Sequence, residues 1–230
     1  MKLKVIIPVS VPDYDELVAS TYDSYKLSDV SIEVAHLPKG PKEILSEVDD
    51  AETAPYILKE AAIAEKNGYD GLIVYCFDDP GVKAARNLVK IPIVGLGEPS
   101  LTLAHFVSHR FSVLSPGRNH HQVRAYVERQ CHEFGLAAKL ASVRPITMSP
   151  LTVVAEQAGT LKSILQKEIK SAIEENGADT IVFGCGAMSG FLETLDSLGA
   201  ILIDPGIAAL NFIEVLMNMG VSHSRLVFTP

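Results

Sequence analysis

The sequence has few cysteines, an excess of negative charge and no long apolar run. Only three of its 230 residues are cysteine and none form a Cys-x-x-Cys pair, so neither a disulfide framework nor a zinc ribbon is indicated. The net charge of −8 argues against the basic surface that binds nucleic acid or anionic membranes. No apolar run approaches the roughly 20 residues that span a bilayer. We therefore expect no nucleic-acid partner and no membrane partner.

Targeting and cofactor signatures are also missing. The first eight residues, MKLKVIIP, lack the longer apolar core and the small-residue cleavage site of a signal peptide, so a cytoplasmic protein with free thiols is expected. No Gly-x-Gly-x-x-Gly follows this first apolar run, and no phosphate-loop signature occurs anywhere. We expect no cofactor and no bound metal.

Short apolar runs alternate with longer segments of helical period, which is typical of an α/β protein with parallel sheets. Four strands are predicted in each half of the chain, at Leu3–Pro8, Ile32–Leu37, Gly71–Tyr75 and Ile91–Gly95, then at Phe111–Leu114, Leu140–Val143, Thr180–Phe183 and Ile201–Ile203. The longer predicted helices are Ala51–Lys66, His120–Glu133 and Val154–Glu175, and the shorter ones are Pro80–Leu88, Pro99–Val107, Gly190–Leu198 and Ile207–Met219.

One motif occurs twice at a constant spacing. The first copy reads NGYD-GLIVY-C and ends at Cys76, and the second reads NGAD-TIVFG-C and ends at Cys185. The offset is 185 − 76 = 109, and the same offset carries Gly97 onto Gly206. The start of each half repeats with an offset of 108, and one insertion or deletion explains the difference because loops tolerate both. An internal duplication is therefore predicted.

The duplication predicts two similar lobes, each with its own parallel sheet. If the last helix returns to pack on the first lobe, lobe one comprises residues 1–98 plus 207–230 and carries Cys76. Lobe two then comprises residues 99–206 and carries Cys185.

Both repeated cysteines follow a predicted strand directly, and ligands of parallel sheets bind at the carboxyl ends of the strands. Asp79 with Pro80, and Ser189 in the second loop, have the pattern of helix N-caps, and helix N-termini stabilise anions and thiolates. A buried cysteine at a strand end is common for packing reasons alone. The matched pair nevertheless indicates catalysis, whereas Cys131 lies at helical spacing with Val123 and Val127 and is predicted to pack in the core.

At these two loops the sequence resembles the aspartate/glutamate racemase superfamily, and within it the hydantoin and allantoin racemases. Cys76-Phe77-x-Asp79-Pro80-Gly81 is similar to the first cysteine loop of that group, and Gly184-Cys185-Gly186-Ala187-Met188 is similar to the second. The resemblance implies two Rossmann-like lobes related by a pseudo-twofold axis, with the active site in the cleft between them. It also implies a homo-oligomer and cofactor-independent proton transfer between a thiolate and a thiol.

On this resemblance, Cys76 and Cys185 are the expected catalytic residues. The residues expected to contact a small-molecule substrate are Ser10, Phe77, Asp78, Asp79, Ser115, Gly186 and Ala187. Ser115 can also be a turn residue, and Asp78 can equally face solvent. Hydantoin racemases usually carry Asn-Pro-Asn after the first strand, where this chain has Ile7-Pro8-Val9, so the resemblance leaves the substrate open.

The leading hypothesis is thus a racemase or epimerase acting at an acidic carbon of a hydantoin-like or related carbonyl compound. An amino-acid racemase or a maleate-type cis–trans isomerase would keep the fold and change the reaction. A non-catalytic two-lobed binding protein would fit the lobes but would give no reason for the paired thiols.

Overall fold

In the described part of the chain, eight short strands form two separate parallel sheets of four strands each. The structure, a computed structural model, describes residues 1–156 and 159–228. The first sheet has the order β2-β1-β3-β4 and contains β1 (Lys2–Ile7), β2 (Ser31–His36), β3 (Gly71–Val74) and β4 (Ile93–Val94). The second has the order β6-β5-β7-β8 and contains β5 (Phe111–Pro116), β6 (Leu140–Ile146), β7 (Thr180–Phe183) and β8 (Ile201–Ile203). The predicted α/β class with two parallel sheets is confirmed.

The part of the chain that the structure describes contains eight α-helices, seven of them between strands and one after the last strand. They are α1 (Asp15–Tyr25), α2 (Glu47–Lys66), α3 (Val82–Leu88), α4 (Gly97–Val107), α5 (His120–Glu133), α6 (Pro150–Ala155), α7 (Thr160–Asn176) and α8 (Pro205–Met219). None of the described helices is long and apolar enough to cross a membrane.

The chain forms two compact units, each with its own sheet. The first unit comprises Met1–Leu96 with Ala209–Pro230, and the second comprises Gly97–Ala208. In the first unit α2 and α3 bury one face of the sheet, where Ile57, Leu72 and Ile93 have no exposed surface. In the second unit α7 contributes Leu161, Leu165 and Ile169, which are also fully buried. Burial of each such side chain stabilises the fold by about 1.5–3 kcal/mol.

The strand registers correspond between the two sheets, apart from a shift between Phe111 and Ser112 where β5 pairs with β6. Leu3 pairs with Gly71 in the first sheet and Phe111 pairs with Thr180 in the second, so the partners are shifted by 108 and 109 residues, as in the sequence repeat. The last two strands agree as well, because Leu72 pairs with Ile93 and Ile181 pairs with Leu202, both shifted by 109. The two units therefore repeat one supersecondary arrangement.

The repeated Asn-Gly-x-Asp segment ends a helix and starts a strand. Gly68 and Gly177 follow α2 and α7 with φ values of +75° and +66°, a conformation in which a β-carbon would be strained. The aspartate two residues later accepts a backbone hydrogen bond at the entry of the neighbouring strand, from Lys2 N to Asp70 Oδ2 at 2.7 Å and from His109 N to Asp179 Oδ2 at 2.8 Å. The segment is therefore a structural part of the repeat.

The C-terminal tail of the first unit is bound to α3 and β4. The Arg225 guanidinium donates to the carbonyl groups of Arg86 and Val89 at the end of α3, and also to that of Phe228. The His223 ring lies 2.9 Å from the carbonyl oxygen of Ile93 in β4. Both elements border the loop that carries Cys76.

Helices α2, α4 and α8 begin two to four residues earlier than predicted, and four larger differences have a local cause. Helix α1 is absent from the predicted set, because its sequence DELVASTYDSY is rich in Ser, Thr, Tyr and Asp, which favour helices weakly. Helix α3 begins at Val82 and not at Pro80, because Gly81 with φ +68° holds the N-cap position. The predicted helix Val154–Glu175 is replaced by α6 and α7, and its residues 157 and 158 lie outside the described part of the chain. The predicted helix Gly190–Leu198 is wrong: only a 3₁₀ turn, Leu192–Thr194, forms there, because Gly190 has φ +80° and its N–H group is bound by a side chain.

Candidate functional site

Cys76 lies at the carboxyl edge of the first sheet, two residues beyond β3. Strand pairing continues to Tyr75, whose N–H group donates to the carbonyl of Ile6 in β1 at 2.8 Å. The Cys76 carbonyl then accepts two backbone hydrogen bonds, from Asp79 N at 3.3 Å within the loop and from Leu96 N at 3.2 Å beyond β4. The Cys76 side chain is partly exposed.

Cys185 occupies the same position in the second unit. Gly184 N donates to the carbonyl of Leu114 in β5 at 2.7 Å, and the Cys185 carbonyl accepts from Met188 N at 3.0 Å. These two bonds are the counterparts of the Tyr75 and Asp79 bonds, since each donor is shifted by 109 residues. Cys185 is also partly exposed and precedes a 3₁₀ turn, Gly186–Met188.

Cys131 has a different environment. It lies in α5, its side chain is fully buried, and burial together with the neighbouring charge of Glu128 raises the pKa of its thiol to about 12. A thiol that stays protonated at neutral pH is a weak nucleophile and a weak base. Cys131 is a core residue.

Ser115 holds the strand end that precedes Cys185. Its hydroxyl group donates to the carbonyl of Gly184 at 2.9 Å. A β-carbon on Gly184 would lie 2.8 Å from the β-carbon of Ser115, so only glycine allows β5 and the end of β7 to approach this closely. Because the single proton of the hydroxyl group is used here, Ser115 can offer a substrate only an acceptor oxygen. Its substrate contact stays a prediction.

The other predicted substrate-contacting residues lie at the carboxyl edges of the two sheets. Ser10 follows β1, and its hydroxyl group donates to the carbonyl of Gly40 at 2.7 Å. Phe77 is buried, whereas Asp78 and Asp79 are partly exposed in the same loop. In the second unit both remaining candidates, Gly186 and Ala187, are buried in the 3₁₀ turn. The structure thus groups four candidates with Cys76 and three with Cys185, and their contact with a substrate stays a prediction.

Asp204 is a residue of the second loop region that the predicted site does not include. It follows β8, is 3% exposed, and accepts hydrogen bonds from the N–H groups of Gly190 at 2.7 Å, Gly206 at 2.9 Å and Ile207 at 3.1 Å. Burial raises the pKa of its carboxyl group, and these amides together with the Ser189 hydroxyl oppose the rise. Asp-Pro before an apolar helix is an N-cap signature, so the cap of α8 was readable from sequence. The hydrogen bond from Gly190 to Asp204 has no signal in the sequence.

No group of three or more His, Cys, Asp or Glu side chains within residues 1–156 and 159–228 is arranged to hold a metal ion. The groups that the structure places at the two edges are the thiols, the carboxylates beside them and the backbone amides of the loops.

Comparison with known proteins gives consistent matches along the whole chain. A family model described as Asp/Glu/Hydantoin racemase matches residues 3–213. A hydantoin racemase of Pseudomonas sp. (strain NS671) is 31% identical over 228 residues, which cover 98% of this chain and 90% of that protein. A hydantoin racemase of Paenarthrobacter aurescens is 30% identical over 229 residues, covering 98% and 94%. The structure of an allantoin racemase from Klebsiella pneumoniae superposes with a TM-score of 0.91 at 24% identity, over 100% of this chain and 94% of that one, and this likeness concerns the fold.

Proposed function

Since the chain belongs to the Asp/Glu/Hydantoin racemase family and is a racemase, we propose that it inverts an acidic carbon centre by proton transfer between Cys76 and Cys185. One thiolate removes the proton from the carbon, which breaks the C–H bond and leaves an enolate. The other thiol delivers its own proton to the opposite face. The two thiols exchange roles for the other enantiomer, so atoms and charges balance without a redox partner.

The observation that carries this proposal is the matched setting of the two thiols. Cys76 and Cys185 are both partly exposed at the carboxyl edge of equivalent strands, with the same i+3 backbone bond to their carbonyl oxygen. Cys131, which lacks this setting, is buried and strongly disfavoured as a thiolate. Thiols suit general acid–base chemistry because their pKa, about 8.5 in free cysteine, can be tuned close to neutral pH.

We propose a substituted hydantoin, or a related cyclic amide with a carbonyl beside the reacting carbon, as the substrate class. The two relatives at 30% and 31% identity are named hydantoin racemases and are matched over nearly their full length. A carbon between a carbonyl group and an amide nitrogen loses its proton more readily than that of an amino-acid zwitterion. Ile7 and Val9, which stand where hydantoin racemases usually carry asparagine, are apolar and buried.

The test is racemisation of single-enantiomer hydantoins in deuterium oxide, followed by circular dichroism and mass spectrometry. In the early phase, the inverted product should contain one solvent deuterium while the remaining substrate contains none, because removal and delivery use different thiols. Cys76→Ser and Cys185→Ser should each lower the rate by about 10²–10⁴-fold. Cys131→Ser is the matched control and should keep the wild-type rate.

Two results would contradict the proposal. Full racemisation by either serine variant would show that its thiol is not a base. A covalent adduct of substrate with one cysteine would instead indicate a nucleophilic isomerase.

Three further expectations belong to the same proposal. The enzyme should retain its activity after dialysis against a chelator, sediment as a homo-oligomer, and reside in the cytoplasm. Activity without added cofactor, analytical ultracentrifugation and cell fractionation measure these properties.

A further inference from the structure

The two cysteine loops are connected to the last strand of their own sheet in different ways. In the first unit, Leu96 N donates directly to the Cys76 carbonyl at 3.2 Å. The residue that corresponds to Leu96 is Pro205, since 96 + 109 = 205. Proline has no N–H group, so the second unit cannot make this bond.

A buried carboxylate provides the connection in the second unit. Oδ2 of Asp204 accepts from Gly190 N at 2.7 Å, at the end of the Cys185 loop. Oδ1 accepts from Gly206 N at 2.9 Å and from Ile207 N at 3.1 Å at the start of α8. The Ser189 hydroxyl group binds the same carboxylate and accepts from Gly206 N at 3.2 Å. One side chain thus joins the loop to the segment after β8.

The first unit has a carboxylate in the corresponding space, but it comes from the opposite side. Gly95 corresponds to Asp204, and the carboxylate of Asp79, from the cysteine loop, lies against it: a β-carbon on Gly95 would be 1.9 Å from Asp79 Oδ1. Asp79 in turn corresponds to Met188. The two copies have therefore exchanged which segment supplies the carboxylate.

We infer that Asp204 is a positioning residue for Cys185 and that Asp79 is its counterpart for Cys76. This inference rests on the proposed function, because it assigns the carboxylates to holding two catalytic thiols. Each carboxylate fixes its loop against the last strand of the sheet, which sets the place of the sulfur atom. Displacement of a catalytic group by about 1 Å can lower the rate of a reaction about 10²-fold.

Asp204→Asn tests the inference because it removes only part of the interaction. Asparagine is as good an N-cap as aspartate, so its carbonyl oxygen can keep the Gly206 and Ile207 bonds. Its NH₂ group then faces the N–H group of Gly190, and the bond to the cysteine loop is lost. Asp204→Ser is a second variant that keeps a capping oxygen and is too short to reach Gly190.

Two measurements are expected to change together. The kcat of racemisation should fall about 10–100-fold while KM changes less than about twofold, because the reacting group moves and substrate contacts do not. Alkylation of Cys185, followed by peptide mass spectrometry without substrate, should become at least about threefold faster while that of Cys76 is unchanged. Asp79→Asn should speed the alkylation of Cys76 and leave that of Cys185 unchanged; KM is not compared for this variant, because Asp79 is among the residues predicted to contact the substrate.

Asp179→Asn is the matched control, because Asp179 makes the same kind of carboxylate–amide bond at the opposite end of β7. It should lower thermal stability and leave kcat and both alkylation rates unchanged. The inference is overturned if Asp204→Asn keeps wild-type kcat and Cys185 alkylation, or if Asp179→Asn lowers kcat equally. A fully active Cys185→Ser would refute the proposed function. The alkylation rates are measured without turnover, so they test the connection of the cysteine loop independently of that result.

Discussion

Replacing Gly95 with alanine places a methyl group in the volume that the Asp79 side chain occupies. The new β-carbon would lie 1.9 Å from Oδ1, 2.5 Å from Cγ and 2.9 Å from Cβ of Asp79. The carboxylate can rotate away, but the Cβ atom is fixed by a backbone that already has φ +53°. The substitution therefore has to shift the loop that carries Cys76.

The expected cost follows from this overlap. Overpacking a well-filled interior destabilises a protein by about 1–3 kcal/mol, and the fixed Cβ contact indicates the upper end of that range. Asp79→Gly should change the free energy of unfolding little by itself. Glycine relieves the strain of the positive φ, and the loss of the Asp79 side-chain contacts offsets this gain. In the double variant the overlap no longer exists, so the two changes should couple by about 2–3 kcal/mol.

Urea unfolding, followed by far-ultraviolet circular dichroism, measures all four proteins of this cycle. With an m-value of about 2–3 kcal/mol per molar urea, Gly95→Ala should lower the unfolding midpoint by about 1 M. The double variant should unfold close to Asp79→Gly. A Gly95→Ala protein with the wild-type midpoint, or strictly additive effects in the cycle, would refute the placement of the Asp79 carboxylate.

Three further predictions concern stability and titration. Gly184→Ala should lower the free energy of unfolding by about 1–3 kcal/mol, because its β-carbon meets backbone-fixed atoms; an unchanged urea midpoint would contradict this. Arg225→Ala should cost about 1–2 kcal/mol through the lost carbonyl bonds, again measured by urea unfolding, and an equally stable Arg225→Lys would indicate that charge alone suffices. Burial, and after it the hydrogen bond to Glu33, raises the pKa of Tyr69 to about 12. The protonated phenol therefore contributes its full stabilisation below pH 10.0, and this stabilisation is lost as the pH rises through about 12. Ultraviolet titration should show a lower pKa of Tyr69 in Glu33→Gln.

The strands were predictable because the apolar runs are short, separate and bounded by turn residues. Every predicted strand overlaps an observed one, and Thr180–Phe183 and Ile201–Ile203 agree at both ends. Helix α5 likewise agrees over its full length, His120–Glu133. Periodicity carries this information locally, so no knowledge of the tertiary contacts was needed.

The loops after the cysteines were less predictable, because their conformation depends on distant partners. Asp79 before Pro80 has the pattern of an N-cap, yet its positive φ of +53° lies in a turn and the cap falls on Gly81. Ser189 similarly precedes no α-helix, and its oxygen instead accepts from Gly206 N. These bonds join residues about 15 positions apart, and nothing in either segment alone specifies them.

The repeated motif contains residues that recur because folding requires them, together with a cysteine. Asn-Gly and Asp recur because each half ends a helix and enters a strand in the same way, which is a requirement of folding. The cysteine at the other end of the same strand is partly exposed in both units, and we propose that its thiol recurs for catalysis. The sequence alone shows that the Asn-Gly-x-Asp residues and the cysteine recur in both copies. Only the backbone geometry shows that the Asn-Gly-x-Asp residues recur for folding.

The carboxylate comes from the cysteine loop in the first unit, as Asp79, and from the residue after the last strand in the second unit, as Asp204. A cysteine loop of one unit therefore cannot replace that of the other. A chimera that joined the first cysteine loop to the second unit's last strand would bring two carboxylates into one buried space. The reverse chimera would set Met188 against Gly95 and contain none. Each loop and its closing strand therefore form a matched pair, because exchanging only one of them leaves either two carboxylates or none.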